Sequence, residues 1–386
     1  MPERIVIVGA SLAGLRAAQA VRSAGHTGSL VVVGDEAHLP YTRPPLSKQL
    51  LAGEQEHADC AFPGADAVDC EWRLGAAATG LDREGKVIAL ADGRTLEYDR
   101  LIVATGARAR TWPDQVDGVH TLRGVEDALA LRAALDAKPA RVAIVGAGFV
   151  GCEVAATARR AGVDVTLIDV ALQPLLPLGP ELGARAAALH REHGVDLRLG
   201  EGVTAVDATG VTLAGGDRVD ADVVLVALGA IPNTEWLRDS GLALDERGGV
   251  LCDGTLTSVN DDNILAAGDV VSWPHPLAGG DVVRVEHWTV AAEHGALAGR
   301  NALLPAAERG GHVAPPYFWS DQYDIKIQAV GFPARAATLE IVEEDGPRLI
   351  AEARDASGRL VGAIAFNNAK KLAAYRRELA TQAVAA

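Results

Sequence analysis

Twice in this chain a short apolar run breaks at a glycine and continues into a helix-forming stretch. The first copy is Arg4-Ile5-Val6-Ile7-Val8, then Gly9-Ala10-Ser11-Leu12-Ala13-Gly14, then Leu15-Arg16-Ala17-Ala18-Gln19-Ala20-Val21. Strand, tight turn and helix in that order aim backbone N–H groups at a pyrophosphate from the helix N-terminus. Gly9 permits the turn and Gly14 lets helix and strand pack closely. Ser11 stands where a middle glycine is usual, and is small enough for a phosphate to approach the backbone.

From Gly9 to Gly146 is 137 positions, and there the pattern returns complete. Arg141-Val142-Ala143-Ile144-Val145 leads into Gly146-Ala147-Gly148-Phe149-Val150-Gly151. Each copy is followed by a second apolar run ending in acid. Asp35 and Glu36 lie 21 and 22 residues past Gly14, and Asp169 lies 18 past Gly151. About 20 is the spacing at which a carboxylate accepts from ribose hydroxyls. Two dinucleotides are therefore expected, the alternative being one dinucleotide plus a degenerate duplicate. A carboxylate at Asp169 would repel a 2′-phosphate, which favours NADH over NADPH. Gln173 adds no cation, although Arg159, Arg160 and Arg198 remain open as partners for one.

A chain of 386 residues, 49% hydrophobic, is long enough for two or three domains with proper cores. Short apolar runs alternating with Ala/Arg-rich helical segments predict α/β layers. The longest uncharged apolar run, Val142 to Cys152, falls well short of the roughly 18 residues that a membrane span requires. The first strand begins at Arg4, leaving no room for a signal peptide, so a soluble cytoplasmic protein is expected. A net charge of −15 disfavours nucleic acid, which needs a basic footprint, but does not exclude an acidic protein, whose docking depends on the local field. The four cysteines, at 60, 70, 152 and 252, have neither CxxC nor metal-ligand spacing. No metal site is expected.

Between the fingerprints, Pro40-Tyr41-Thr42-Arg43-Pro44-Pro45-Leu46-Ser47-Lys48 reads as a turn entering a helix at Pro45. Cations at a helix N-terminus are misplaced for stability. Arg43 and Lys48 thus look placed for an anion or an electron-rich ring rather than for a solvated loop. Val68 to Asp99 is strand-rich, with the hairpin signal Asp92-Gly93. Leu101-Ile102-Val103-Ala104-Thr105-Gly106 is a buried strand whose small-residue end closes over the first dinucleotide. Arg123, with Glu126 and Asp127, opens a helix. Glu153 follows Gly151 by two; favourable interaction with the helix dipole and contact with a nicotinamide amide are equally good accounts of it.

Asp222 to Asn233 is a second buried strand, turning at Gly229. Ile264-Leu265-Ala266-Ala267-Gly268-Asp269 puts a carboxylate at a strand's C-terminal end, where α/β proteins bind ligands. Glu286-His287-Trp288 precedes a helix from Ala291 to Leu303. His287 alone would more often be structural, while Trp288 is placed to cover an aromatic cofactor. After His312 come the aromatics Tyr317, Phe318, Trp319 and Tyr323. Alternating runs at Ile325–Val330, Thr338–Val342, Arg348–Ala353 and Leu360–Phe366 follow. These predict an antiparallel sheet closed by a helix from Ala369 to Leu379, whose Lys370, Lys371, Arg376 and Arg377 form a solvated face.

Taken together, these segments resemble the FAD- and NADH-dependent ferredoxin reductases that supply bacterial monooxygenases and ring dioxygenases, relatives of the glutathione-reductase fold. The resemblance runs over the whole length. It is carried by Gly9 to Gly14, the Arg-Pro-Pro-Leu-Ser-Lys segment ending at Lys48, Ala104-Thr105-Gly106 and Gly146 to Glu153. Gly229 with Pro232-Asn233, Gly268-Asp269, Glu286-His287-Trp288 and Phe318-Trp319-Ser320-Asp321-Gln322 complete it. It implies an α/β fold of two Rossmann-like domains of glutathione-reductase type plus a C-terminal α+β interface domain. The FAD domain would be 1–110 and 234–311, the NAD domain 111–233 and the interface domain 312–386.

By the same resemblance Asp35 holds the FAD ribose, Ala13 lines the pyrophosphate turn, and Arg43, Lys48 and Arg123 contact FAD. Lys48 lies near the flavin N5 edge, Ala78 touches the adenine, Asp269 binds the ribityl-phosphate region and Trp288 borders the isoalloxazine. Glu153 sits by the nicotinamide and pairs with Lys48. Ser11, Cys152 and Gln173 depart from the family's usual residues. Flavin disulfide reductases carry a Cys-x4-Cys pair in the turn before Lys48; here Thr42 to Gln49 contains no cysteine. Electrons then leave the flavin directly for a ferredoxin, docked transiently and electrostatically by Arg43, Arg284, Lys326 and Arg335. Rubredoxin or a small organic acceptor is the alternative, and a redox-responsive interaction protein a further one. A monomer or weak homodimer is expected.

Overall fold

The computed structural model describes residues 2–113 and 116–385. Both fingerprints fold as the sequence predicts. The strand Arg4–Val8 turns at Gly9 into the helix Leu12–Ser23, and Arg141–Val145 turns at Gly146 into Phe149–Arg160. Each strand sits mid-sheet with parallel neighbours on both sides. Arg4–Val8 lies between Ser29–Val33 and Arg100–Val103, with Asp261–Ala266 beyond the latter and Glu71–Arg73 beyond the former. Arg141–Val145 lies between Asp164–Asp169 and Val223–Val226, flanked by Asp196–Leu199 and Val119–His120. Near-continuous Val/Ile/Leu runs follow from burial on both faces. Both fingerprint turns thus open where strand order reverses, the crevice that open α/β sheets offer a ligand.

The Asp92-Gly93 signal closes the hairpin between Val87–Leu90 and Thr95–Glu97. The C-terminal sheet is antiparallel and five-stranded, in the order Tyr317–Gln322, Ile325–Gly331, Leu360–Phe366, Arg348–Arg354, Thr338–Asp345. Its first strand is one the sequence reading left as an aromatic segment. The closing helix runs Ala369–Ala385, longer than expected, and the helix expected from Ala291 begins at Trp288. The segment after Pro44 is corrected too. It forms only a single 3-10 turn, Pro44–Ser47, with Arg43 before it and Lys48 after it. The cations therefore flank a turn instead of crowding a helix N-terminus.

The helices Leu12–Ser23 and Trp288–Asn301 pack backbone to backbone. A methyl on Gly295 would lie 2.2 Å from the Ala13 carbonyl oxygen, and one on Gly299 2.4 Å from that of Ala17. That approach seats Trp288 and Ala291 beside the first fingerprint. No helix among the described residues is long and apolar enough to cross a membrane.

Candidate functional site

A cavity of about 1060 Å³ opens over the first fingerprint, at the upper end of the volumes small-molecule sites occupy. Its floor is Gly9, Ser11 and Ala13, with Ala104, Thr105 and Gly106 from the neighbouring strand. A Cβ on Gly9 (φ +123) would lie 2.0 Å from the Ala104 carbonyl oxygen, so only glycine lets these turns meet. Gly14 packs under the same turn, its missing Cβ 1.8 Å from the Gly9 carbonyl oxygen; it supports the floor without lining it. Asp35 and Ala78 line one end, Gly268, Asp269, Glu286, His287 and Trp288 the other.

The charged walls are paired. Arg43 donates to a Glu36 carboxylate oxygen, to the Arg123 carbonyl at 2.9 Å and weakly to the Ser11 hydroxyl at 3.4 Å. The serine that replaces glycine thus touches the cation beside it. Glu36 also accepts from the Tyr41 hydroxyl. Burial alone would push this carboxyl up, but the Arg43 guanidinium and the Tyr41 hydroxyl outweigh it and hold it below the usual range. Glu36 therefore braces Arg43, while the exposed Asp35 beside it is the carboxylate left for a ligand. Arg123 bridges to Asp269 at 2.5 Å across the cavity.

At the inner end Lys48 Nζ lies 2.8 Å from Glu153 Oε2, the two side chains 11% and 8% exposed. Glu153 also accepts from the hydroxyls of Ser47 and, at 2.7 Å, Ser320. It sits on the second turn of its helix, bonded on both oxygens, so the dipole is not what holds it. A buried carboxylate satisfied by two hydroxyls and a cation can steer a proton or a hydrogen-bonding substrate group.

Around this pair stand Phe149, Val150, Phe318, Trp288 and Trp319. Phe149 packs edge-on against Phe318 at 4.7 Å, and Trp288 against Trp319 at 6.1 Å. Burial pushes the His287 imidazole down to about 4, keeping it neutral. The buried His287 Nδ1 and Trp288 Nε1 have no partner among the described residues, although buried polar atoms are ordinarily satisfied. An aromatic rim, orphaned ring nitrogens and a glycine-cradled floor fit a flavin dinucleotide.

The glycines of the second fingerprint lie outside this cavity, while its Phe149 and Val150, with Glu153, line it. A Cβ on Gly146 (φ +111) would strike the Ala227 carbonyl oxygen at 2.4 Å, and one on Gly151 the Gly146 carbonyl oxygen at 1.9 Å. Gly148 differs: a Cβ there meets nothing within 4 Å, and its φ of −75° suits any residue. Nothing in the protein demands glycine at 148, which fits a phosphate approaching the backbone. Asp169 Oδ2 accepts from the Ala147 N–H at 2.6 Å and Oδ1 from the Ala171 N–H at 2.8 Å, fixing the acid beside the turn. Gly229 (φ +86) turns the next loop, whose carbonyl accepts from Arg110. Arg159 and Arg198 are bound to Asp164 and Asp196, and Arg160 to the Tyr323 carbonyl. All three arginines left open by the sequence are thus engaged within the protein.

One expectation fails. Arg43 lies inside the cavity, and Arg284, its side chain 16% exposed, bridges to Glu286 and donates to the Asp269 carbonyl. The cavity position of the one and the burial and pairing of the other take both side chains out of any docking face. Lys326 and Arg335 are exposed. Sequence reasoning missed Tyr41, Ser47 and Ser320, whose work as hydrogen-bond donors to Glu36 and Glu153 leaves no spacing signal.

The pyridine nucleotide-disulphide oxidoreductase model matches residues 3–295, and a reductase C-terminal model matches 317–386. The chain belongs to the pyridine nucleotide-disulphide oxidoreductase family. Within that family it is similar to the ferredoxin–NAD(+) reductase component of an anthranilate 1,2-dioxygenase system from Burkholderia cepacia, 38% identical over 98% of this chain and 94% of that one. It is 35% identical to rhodocoxin reductase of Rhodococcus erythropolis, over 98% and 90%. Among solved structures, putidaredoxin reductase in its covalent complex with putidaredoxin superposes with a TM-score of 0.90. That match is 31% identical, over 98% of this chain and 93% of that one. For an oxidoreductase of a disulphide-named family, the site has one unusual property: no cysteine lines the cavity among the described residues. Cys60, Cys152 and Cys252 are buried, Cys70 partly so, and burial pushes all four thiols up, away from the reactive thiolate.

Proposed function

We propose that the chain is an FAD-dependent NADH:ferredoxin reductase. It takes a hydride from NADH and passes electrons one at a time to an iron–sulfur ferredoxin that serves an oxygenase. The supporting observation is a thiol-free cavity that joins two dinucleotide turns at the Lys48–Glu153 pair. FAD, when bound, supplies the conversion between a two-electron donor and a one-electron acceptor that side chains cannot. Gly9, Ser11 and Ala13 would face its pyrophosphate, Asp35 its ribose, and Arg43, Arg123 and Asp269 would fix its middle. Lys48 holds a positive charge where reduction builds negative charge. Glu153 fixes the Lys48 ammonium and presents an acceptor to the nicotinamide amide. The turn from Gly146 to Gly151, with Asp169, binds NADH in preference to NADPH. Trp288, Trp319, Phe149 and Phe318 keep water from the reacting faces.

The division into an FAD domain (1–110 and 234–311), an NAD domain (111–233) and an interface domain (312–386) is supported by sheet membership. The first sheet draws strands from both ends of the FAD segments, the second only from 119–226, the antiparallel one only from 317–366. Docking is transient and electrostatic, carried by the exposed Lys326 and Arg335, on a cytoplasmic monomer or weak homodimer. The test is steady-state reduction of cytochrome c by NADH with and without a panel of [2Fe–2S] ferredoxins. Ferredoxin-dependent turnover is expected. Equal rates without ferredoxin would point to a small organic acceptor, and slow turnover with every acceptor to a redox-responsive binding protein.

A further inference from the structure

Glu153 is one end of a buried chain that the hydride-transfer reading does not use. Ser320 Oγ, 2.7 Å from Glu153 Oε1, lies 3.2 Å from Gln322 Nε2. Gln322 Oε1 lies 3.1 Å from His190 Nε2, and His190 Nδ1 lies 3.2 Å from the Tyr323 hydroxyl. Ser320, Gln322 and His190 are wholly inaccessible and Tyr323 is 7% exposed. The chain crosses from the helix Phe149–Arg160 through the first hairpin of the C-terminal sheet to the helix Gly179–Glu192.

Counting protons fixes its direction. A carboxylate only accepts, so Ser320 donates to Glu153. A hydroxyl has one proton, so the Ser320 oxygen accepts from the Gln322 amide N–H. The Gln322 carbonyl then faces His190, which must carry its proton on Nε2. That leaves Nδ1 to accept from the Tyr323 O–H. Reversing any one link reverses all of them and strips a buried carboxylate oxygen of its donor, a costly arrangement.

We infer that Ser320 is a positioning residue for Glu153, and through it for Lys48, held by a hydrogen-bond chain whose donors all point from Tyr323 toward Glu153. The inference rests on the reading of Lys48 and Glu153 given above. Two further observations support it. Burial pushes His190 down to about 4, so the relay ring stays neutral and keeps one tautomer. Tyr323 has φ +55 at the hairpin turn, a conformation that costs a residue with a side chain. In return its ring stacks on His193 at 3.6 Å and meets His190 edge-on at 5.4 Å, which aims the hydroxyl.

The first test is nitrogen NMR of the histidine-labelled holoenzyme, with His190 assigned by its loss in His190→Asn. A protonated Nε2 and a bare Nδ1, unchanged from pH 8 to pH 6, is expected; the opposite tautomer overturns the chain. The second is a double-mutant cycle on flavin bleaching by saturating NADH. Ser320→Ala should slow it about tenfold with FAD content kept, and should add no loss in a Glu153→Gln background. Equal losses in both backgrounds would mean that Ser320 acts independently, which overturns the inference. Glu153→Gln at the full rate would overturn both this inference and the role of the pair, while the tautomer measurement would still judge the chain's polarity by itself. Should Ser320→Ala lose FAD, Tyr323→Phe keeps every ring in place. It must then shift the His190 Nδ1 resonance, and no shift sinks the chain.

Discussion

A methyl group added at Gly146 would collide with the Ala227 carbonyl oxygen, and one at Gly148 would touch nothing. Two alanine substitutions two positions apart should therefore fail in different ways. Gly146→Ala should lower the melting temperature by several degrees. Gly148→Ala should lower it much less, since nothing is struck and a glycine-to-alanine change at an N-cap costs on the order of 1 kcal/mol or less, yet weaken NADH binding in a fluorescence titration. Equal effects on melting would mean that Gly148 serves the fold. At the other end of the site, Lys48→Ala should slow flavin reduction in stopped flow; rates equal to wild type would remove Lys48 from the chemistry. The glycines and the Arg-Pro-Pro-Leu-Ser-Lys segment were readable because fixed spacing marks them. The pairing of Ser47 and Ser320 with Glu153 was not, because a serine that donates to a carboxylate more than a hundred positions away leaves no local trace of that role.

Secondary-structure elements were legible where their periodicity was strong. The central parallel strands and the run Leu360–Phe366 fall where expected. The turn after Pro44 was misread because consecutive prolines permit a helix start without supplying anything to prolong it. The strand Tyr317–Gln322 carries no polar alternation to mark it, three aromatics being followed by three polar residues. The contact between Leu12–Ser23 and Trp288–Asn301 was invisible in sequence, since Gly295 and Gly299 read as mild helix-weakening residues. In the fold they admit a backbone, so Gly299→Ala should cost about 1–3 kcal/mol instead of gaining stability as a glycine-to-alanine change in an exposed helix does. Urea unfolding decides the sign, and a more stable variant would refute the close packing.

For the whole molecule, buried histidines set the response to acid. Burial pushes His190 and His275 down to about 4, and His294, packed between Trp273 and His312, well below its usual value. The unfolded chain binds these protons near pH 6.5 and the folded chain does not. Stability is therefore complete above about pH 6.5 and falls as pH drops toward 4. His190 and His275 each contribute a loss on the order of 1–2 kcal/mol by pH 5. Urea melts at pH 7.5 and pH 5 should differ accordingly; identical midpoints would mean that these rings are solvated. The net charge of −15 makes the local field at Lys326 and Arg335 decisive for an acidic partner. Electron delivery to ferredoxin should weaken as salt rises past about 0.15 M, where screening reaches about 8 Å. A salt-independent rate would argue for apolar docking through Trp319.

The most direct measurement is an anaerobic two-step mixing experiment on the purified protein. NADH is added first and the flavin absorbance followed, then a [2Fe–2S] ferredoxin is added and both chromophores are followed. A yellow protein that bleaches with NADH and regains colour as ferredoxin is reduced, at the same rate after thiol alkylation, is the predicted result. A colourless protein that refuses added FAD, or one whose delivery to ferredoxin stops on alkylation while bleaching persists, would contradict the account.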